Sequence, residues 1–290
     1  MKKKTAFSLA ELSIVILIVG LLIAGLVQGQ LMVRKSKLAA AQTLTQNSPV
    51  NKIENLLLWY ETSMESSFEK SERFEGGAIS VWHDNNPNAI TRDDATQNSS
   101  GSRPKFYENV FNGIPAVRFD GANDFLSFDG KSLISSAYTI FAVEQKQNDG
   151  GINYFIGGGN ASPPVQGNLF VGYDGDDVLQ GHYGSDLLYA GAGIFTKVTP
   201  RMHSFWFNTS YGKKYWLNGG ENPDAEEPAQ TGALIEYNSP EVGGYSSGGS
   251  GQYFNGDLAE IIIFTRSLRT EERRAVEDYL SKKYNIDLEG

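Results

Sequence analysis

The chain has 290 residues with 25 Lys and Arg against 34 Asp and Glu, a formal charge of −9, and no cysteine. That length allows one large or two ordinary domains. Missing cysteine rules out a disulfide framework and any thiolate metal site, and an acidic chain without a basic run is a poor nucleic-acid binder, so none is expected as a partner.

In chain order, a basic head, Met1 to Ala6, carries Lys2, Lys3 and Lys4. An apolar stretch follows from Phe7 to Val33, and its sixteen residues from Leu12 to Val27 hold no charge and one polar side chain, Ser13. Such a run predicts a helix able to cross a bilayer, which takes roughly 20 residues. Glu11 stands near its start, where an ionised group either snorkels to the headgroups or needs a partner. A secretory signal peptide competes for the same residues, but no small-x-small cleavage site follows the apolar core. Arg34, Lys35 and Lys37 beyond the run balance the three leading lysines, so basic-residue counts leave orientation open. Gly25 and Gly29 form a small-x-x-x-small step that serves helix contacts or is ordinary membrane-helix composition. Helical spacing then continues through Leu38, Ala41 and Leu44 until Asn47, Ser48 and Pro49 stop it.

From Val50 onward, short Phe-, Tyr-, Val- and Ile-rich runs alternate with Gly, Asn, Asp and Ser clusters. Strands are predicted at Ile114 to Phe119, Phe125 to Phe128, Tyr138 to Glu144, Asn153 to Ile156, Leu169 to Tyr173, Arg201 to Asn208, Lys214 to Leu217 and Leu258 to Phe264. Many short strands between turn signals predict an all-β sandwich or barrel. Asn218-Gly219 suggests a tight hairpin. A last helix is predicted from a Thr270 cap, with Glu271 and Glu272 at its positive end, Lys282 and Lys283 at the other, and Ala275, Val276, Tyr279 and Leu280 along one stripe.

Chemistry-bearing patterns are sparse. Glycoside hydrolysis needs two carboxylates flanking a bond, and no E-x-D-x-x-E triplet occurs; Glu260 stands alone among apolar residues and reads as a satisfied core or edge carboxylate. His83, His182 and His203 lack zinc spacing. Gly244, Ser246 and Gly248 spell G-x-S-x-G, but in a Gly/Ser-rich loop with no helix after it. No catalytic residue is assigned, and the chain is expected not to be an enzyme. Asp174, Asp176 and Asp177 offer oxygen ligands suited to Ca²⁺, though turn chemistry explains the same residues. Tyr173, Tyr183, Tyr189 and Trp206 form a candidate ligand surface for carbohydrate, with core packing as the alternative use of aromatics.

The first 45 residues closely resemble type IV pilins and the pseudopilins of type II secretion. The match lies in the basic leader followed by Phe7, Ser8, Leu9, Ala10, Glu11 and Leu12. This resemblance implies cleavage between Ala6 and Phe7 by a prepilin peptidase, N-methylation of Phe7, and an assembly role for Glu11 against a neighbouring subunit's amine. Ala6 departs from the usual Gly. Residues 53 to 286 resemble the concanavalin A-like, laminin-G-like jelly roll through Leu58-Trp59-Tyr60, Val81-Trp82-His83-Asp84, Ile114 to Asp124 and Gly256 to Phe264. Together they imply a leader (1–6), a transmembrane and assembly helix (7–47) and a β-sandwich head with a C-terminal helix (48–290). The implied function is a minor or adhesive pilin subunit with a lectin-like head. Its partners would be other pilin or pseudopilin subunits, the peptidase, the bacterial inner membrane and a carbohydrate or host surface. The head would start in the periplasm and end on an extracellular pilus or a periplasmic pseudopilus. Alternatives are a type II secretion pseudopilin and a membrane-tethered glycan hydrolase.

Overall fold

The computed structural model describes residues 9–148, 151–160, 164–191, 198–246 and 252–289; Ala6 and Phe7 lie outside them. One long helix, α1 (Leu9–Gln46), leads into a sandwich of two antiparallel sheets closed by a second helix, α2 (Thr270–Tyr284). Every residue of α1 from Leu9 to Val33, Glu11 included, is exposed. This half is long and apolar enough to cross a membrane. Past Arg34 the helix turns amphipathic, and Ala41 and Thr45 are buried against the head.

The first sheet contains β1 (Leu56–Glu61), β2 (Gly77–Ala78), β5 (Lys105–Phe111), β6 (Ile114–Asp120), β8 (Tyr138–Lys146), β13 (Arg201–Asn208), β14 (Gly212–Leu217), β15 (Ala225–Glu227) and β17 (Asn255–Phe264). The second contains β3 (Val81–Trp82), β4 (Ala95–Thr96), β7 (Leu126–Ser127), β9 (Ile152–Gly157), β10 (Phe170–Asp174), β11 (Asp177–Gly181), β12 (Asp186–Tyr189) and β16 (Glu241–Val242). At the centre of the first sheet β17 pairs with β8 along its length, and on its other side with β6 through Leu258 and then with β1 from Glu260. The two-residue period of a strand splits β8 between two cores. Tyr138, Ile140 and Ala142 face the second sheet, whereas Phe141 and Val143 face α2 together with Ile262, Val276 and Leu280. This sheet is buried on both faces, and β17 accordingly reads as an almost unbroken apolar run.

Trp82 is fully buried and donates its indole N–H to the Glu61 carbonyl at 2.9 Å. Two local expectations need correction. Asn218 and Gly219 do take left-handed backbone (φ 54° and 75°), but the Asn218 side chain accepts the Met202 N–H and the chain runs on to Asp224 before β15 pairs back, so no two-residue hairpin forms. The residue capping α2 is Arg269, not Thr270: the Glu272 carboxylate accepts the Arg269 N–H at 3.0 Å. A glutamate at the third helical position reaching back to the cap residue's own N–H is one half of a capping box.

Candidate functional site

The structure disperses the residues proposed as a ligand surface. Tyr173 points into the sandwich, fully buried, and donates to Glu144 at 2.7 Å. Tyr183 is exposed in the turn between β11 and β12, and Tyr189 packs on Tyr215 with ring centroids 5.2 Å apart. Trp206 sits on the opposite, α2-facing side of the first sheet and donates to the Leu268 carbonyl at 3.0 Å. Strand period explains the scatter: Phe205 and Phe207 face the core, which forces Trp206 outward. Asp174 and Asp177 pair across a two-residue turn made of Gly175 and Asp176, and Asp177 accepts the Gly191 N–H at 3.2 Å. Among the described residues no group of three His, Cys, Asp or Glu is placed to hold a metal ion.

Glu260 is an architectural group. It accepts hydrogen bonds from Trp59 (2.6 Å), Tyr279 (2.9 Å), Tyr284 (2.8 Å) and Lys283 (2.7 Å) beneath α2. Buried under that helix, it is closed to a substrate.

Two other groups of carboxylates face pockets. The first surrounds Asp93, pushed up to about 7 by burial and by the charges of Asp129, Asp84 and Asp94. Its members accept backbone N–H groups: Asp84 from Trp59 at 2.8 Å, Asp94 from Asp84 at 2.8 Å, Asp93 from Asp129 at 2.6 Å. Asp93 Oδ2 is sealed from solvent. This cluster pins the segment around residues 83–94.

The second lies where β6 ends. Asp120 closes the strand, Gly121 follows with φ 74°, and the Asp120 carboxylate accepts the N–H groups of Ala122 (2.8 Å) and Asn123 (3.2 Å). This Asx-type turn folds Asp124 back so that its Oδ2 accepts the Asp120 N–H at 3.1 Å. Asp124 is 6% exposed, and its carboxyl is pushed up to about 6 by burial first and the Asp120 charge second. Both carboxylates line a cavity of about 490 Å³ together with Arg118, Lys105, Tyr107 and Gln147. Arg118 is held by Asp257 through a fork of 2.6 and 3.0 Å, and its guanidinium lies 4.1 Å from the Tyr107 ring centroid. Asp257 is itself fully buried and accepts from Gln145 (3.0 Å) and Gln147 (2.7 Å), so Arg118 is anchored before any ligand arrives. A carboxyl raised toward neutral pH and a second carboxylate in one polar cavity are the pairing that acid–base chemistry on a single bond uses. In the sequence Asp120 reads as a turn residue and Asp124 only as the residue before the next apolar run. Their D-G-x-x-D spacing is the signal that places both on the same side of the turn.

No family model matches the chain, and no curated protein matches it. Solved structures do. A Trypanosoma rangeli sialidase in complex with sialic acid is 12% identical over 79% of this chain and 33% of the sialidase, with a TM-score of 0.49. Domain 4 of an extracellular GH43 arabinanase from Geobacillus stearothermophilus, in complex with arabinotriose, is 13% identical over 78% of this chain and 98% of that domain (TM-score 0.47). The CBM40 of a Ruminococcus gnavus IT-sialidase is 13% identical over 56% of this chain and 96% of the module (TM-score 0.44). This chain thus spans about a third of the sialidase.

These comparisons correct the pilin reading. The sialidase, the arabinanase domain and the CBM40 are named as glycosidases or parts of them, and none of the three is named as a pilin or a pseudopilin, while the sandwich with its long N-terminal and closing C-terminal helices stands as expected. The assignment to a pilin or pseudopilin subunit with an adhesive head is withdrawn, and so is the expectation that the chain is not an enzyme. The motif behind the first assignment, the basic leader with Phe7, Glu11 and the apolar run, covers only the N-terminal helix. It says nothing about the head that follows, residues 48–290.

Proposed function

We propose that this chain is a membrane-anchored glycan hydrolase whose reactive site is the Asp120–Asp124 pocket, with the apolar half of α1 as the anchor. The observation that carries this is Asp124: nearly buried, its carboxyl pushed up to about 6 by that burial, and sharing its cavity with the Asp120 carboxylate. Asp124 gives its proton to the glycosidic oxygen as the bond to the anomeric carbon breaks. Asp120 stabilises the positive charge developing on the ring, and a water then bonds to the anomeric carbon through its oxygen and gives its proton back to the Asp124 carboxylate, which restores the acid. Arg118, fixed by Asp257, orients the sugar hydroxyls from the cavity wall.

The test is release of reducing ends from a panel of polysaccharides by the full chain in detergent. Turnover is expected to fall about 10²- to 10⁴-fold in Asp124→Asn, the range for losing a general acid. Because the acid must carry its proton, activity is expected to decline above about pH 6, the value to which Asp124 is raised. Absence of turnover on every polysaccharide, or full turnover in the Asn variant, would refute the assignment.

A further inference from the structure

An exposed groove adjoins α1 where the helix leaves its apolar stretch. The tip of the β5–β6 hairpin, Asn109 to Gly113, stands beside α1 from Gly25 to Lys37 and encloses about 790 Å³. The two halves of this groove differ in chemistry. Toward the N-terminus its wall is apolar and exposed, with Leu26 at 68% and Val33 at 56%. Toward the head it carries Arg34 and Lys37 from the helix and the amides of Asn109 and Asn112 from the hairpin. Arg34 pairs with Glu108, and Lys37 donates to the Asn112 side chain.

Position gives this amphipathic groove its meaning. Counting from Leu9 at about 1.5 Å per residue, Val33 lies some 36 Å along the helix, just past the roughly 30 Å of a hydrocarbon core. Arg34 and Lys37 therefore fall at headgroup level, and the hairpin tip reaches the same level from the side. Arg34, Lys35 and Lys37 put three cations within four positions of a chain whose net charge is −9. A basic collar on an acidic protein, set against an apolar wall, complements a ligand that is anionic at one end and apolar at the other.

We propose that this groove binds one anionic phosphoglycerolipid, acyl chains along the α1 face at Leu26 and Val33 and phosphate against Lys37, Arg34 and the two asparagine amides. The bound lipid fixes the head against the bilayer surface. This inference rests on the membrane-anchored reading of α1 and is independent of the hydrolytic site.

The experiment uses the full chain, first mixed with phosphatidylcholine vesicles to record whether it partitions into them. It is then measured in detergent by native mass spectrometry with phosphatidylglycerol, phosphatidylcholine or inorganic phosphate added. Two variants probe the two ends of the groove. Lys37→Gln removes a charge and keeps the reach. Gly29→Leu fills the apolar wall at a position where a Cβ would meet nothing within 4 Å, so folding is not at stake. One retained phosphatidylglycerol per chain is expected, weakened about fivefold by Lys37→Gln, the share of a single juxtamembrane cation. Gly29→Leu is expected to weaken it by a similar factor, and phosphatidylcholine should be held less well than phosphatidylglycerol. Equal retention in both variants, or inorganic phosphate competing as well as the lipid, overturns the proposal. Failure to enter vesicles at all overturns the anchor and the lipid site together, whereas partitioning without a retained lipid overturns the lipid site alone.

Discussion

Lys283→Met tests how the head is joined. The Lys283 ammonium lies 2.9 Å from Glu61 and 2.7 Å from Glu260, and all three side chains are fully buried. Burial pushes Glu61 up, but Lys283 and the hydroxyls of Ser63 and Ser67 outweigh it and hold the carboxyl below its ordinary value. Methionine keeps the volume and deletes the cation that bridges the pair, leaving two carboxylates beneath α2. Breaking a buried ion pair from one side costs about 3–5 kcal/mol. For a head of this size that corresponds to a fall in Tm of roughly 6–20 °C. The assay is denaturant unfolding of the full chain in detergent, followed by tryptophan fluorescence at pH 7 and at lower pH. In the native protein Glu61 is depressed, so its contribution is present above its ordinary value of 4.5 and is lost as pH falls through the lower folded value. In the variant burial acts unopposed by the cation, the folded carboxyl rises, and protonation relieves the strain. The gap between the two proteins must therefore narrow as pH drops toward 4.5. A deficit below about 1 kcal/mol at pH 7, or one that does not change with pH, would refute this reasoning.

Two further outcomes follow from buried polar groups. Lys213 is buried, donates to the Ser185 carbonyl at 2.7 Å, and is lowered by burial to about 7, Asp186 opposing only in part. Its unfolded value near 10.5 is higher, so between the two the unfolded chain binds more protons and stability rises with pH, by up to about 1.4 kcal/mol per unit. Urea titrations at pH 7 and 9 should show that rise in the native protein and a flat profile in Lys213→Met. Thr45 in α1 shares its hydroxyl with Ser63 and with Tyr279, each at 3.2 Å. Thr45→Val should cost about 1–3 kcal/mol through the unsatisfied partners it leaves, measured as a shift in unfolding midpoint; no shift would show that the helix is not bonded there.

The sandwich is largely legible in the sequence because its signal is local. Alternation in Phe141, Val143 and in Phe205, Phe207 writes the two-residue period directly into the chain, and β8 and β13 form where it occurs. The α2 stripe is equally local: Val276, Tyr279 and Leu280 all bury. Short strands such as β11 and β12 are harder to read because Gly, Asp and Gln within them look like turn residues, and only their pairing with β10 and with each other makes them strands. The site is less legible. Asp120 is visible as a turn residue, but the raised carboxyl of Asp124 depends on burial, and the cations beside it, Arg118 and Lys105, arrive from β6 and β5. Tyr173 fails as a surface residue for the same reason. Its partners, Glu144 and His203, belong to strands of the opposite sheet, and no spacing along the chain announces them.

The long apolar helix and the head are not loosely tethered. Ala41 and Thr45 are buried, Gln42 donates to the Ser63 carbonyl at 2.9 Å, and Tyr279 passes the contact from Thr45 to Glu260 and so to Lys283 and Glu61. Glu61 in turn sits on β1, and its backbone carbonyl receives the Trp82 indole in the core between the sheets. A continuous chain of buried polar bonds therefore links α1 to the middle of the sandwich. Fully satisfied buried networks of this kind rigidify the parts they join. The direction in which α1 leaves the head is set by the fold, and with it the height of the Asp120–Asp124 pocket above whatever surface the helix enters. On the proposed hydrolytic function substrate is limited by that fixed reach, and lengthening the connection between Gln46 and β1 should leave the reach unchanged, because Ala41, Gln42 and Thr45 hold the helix on the head before that connection begins.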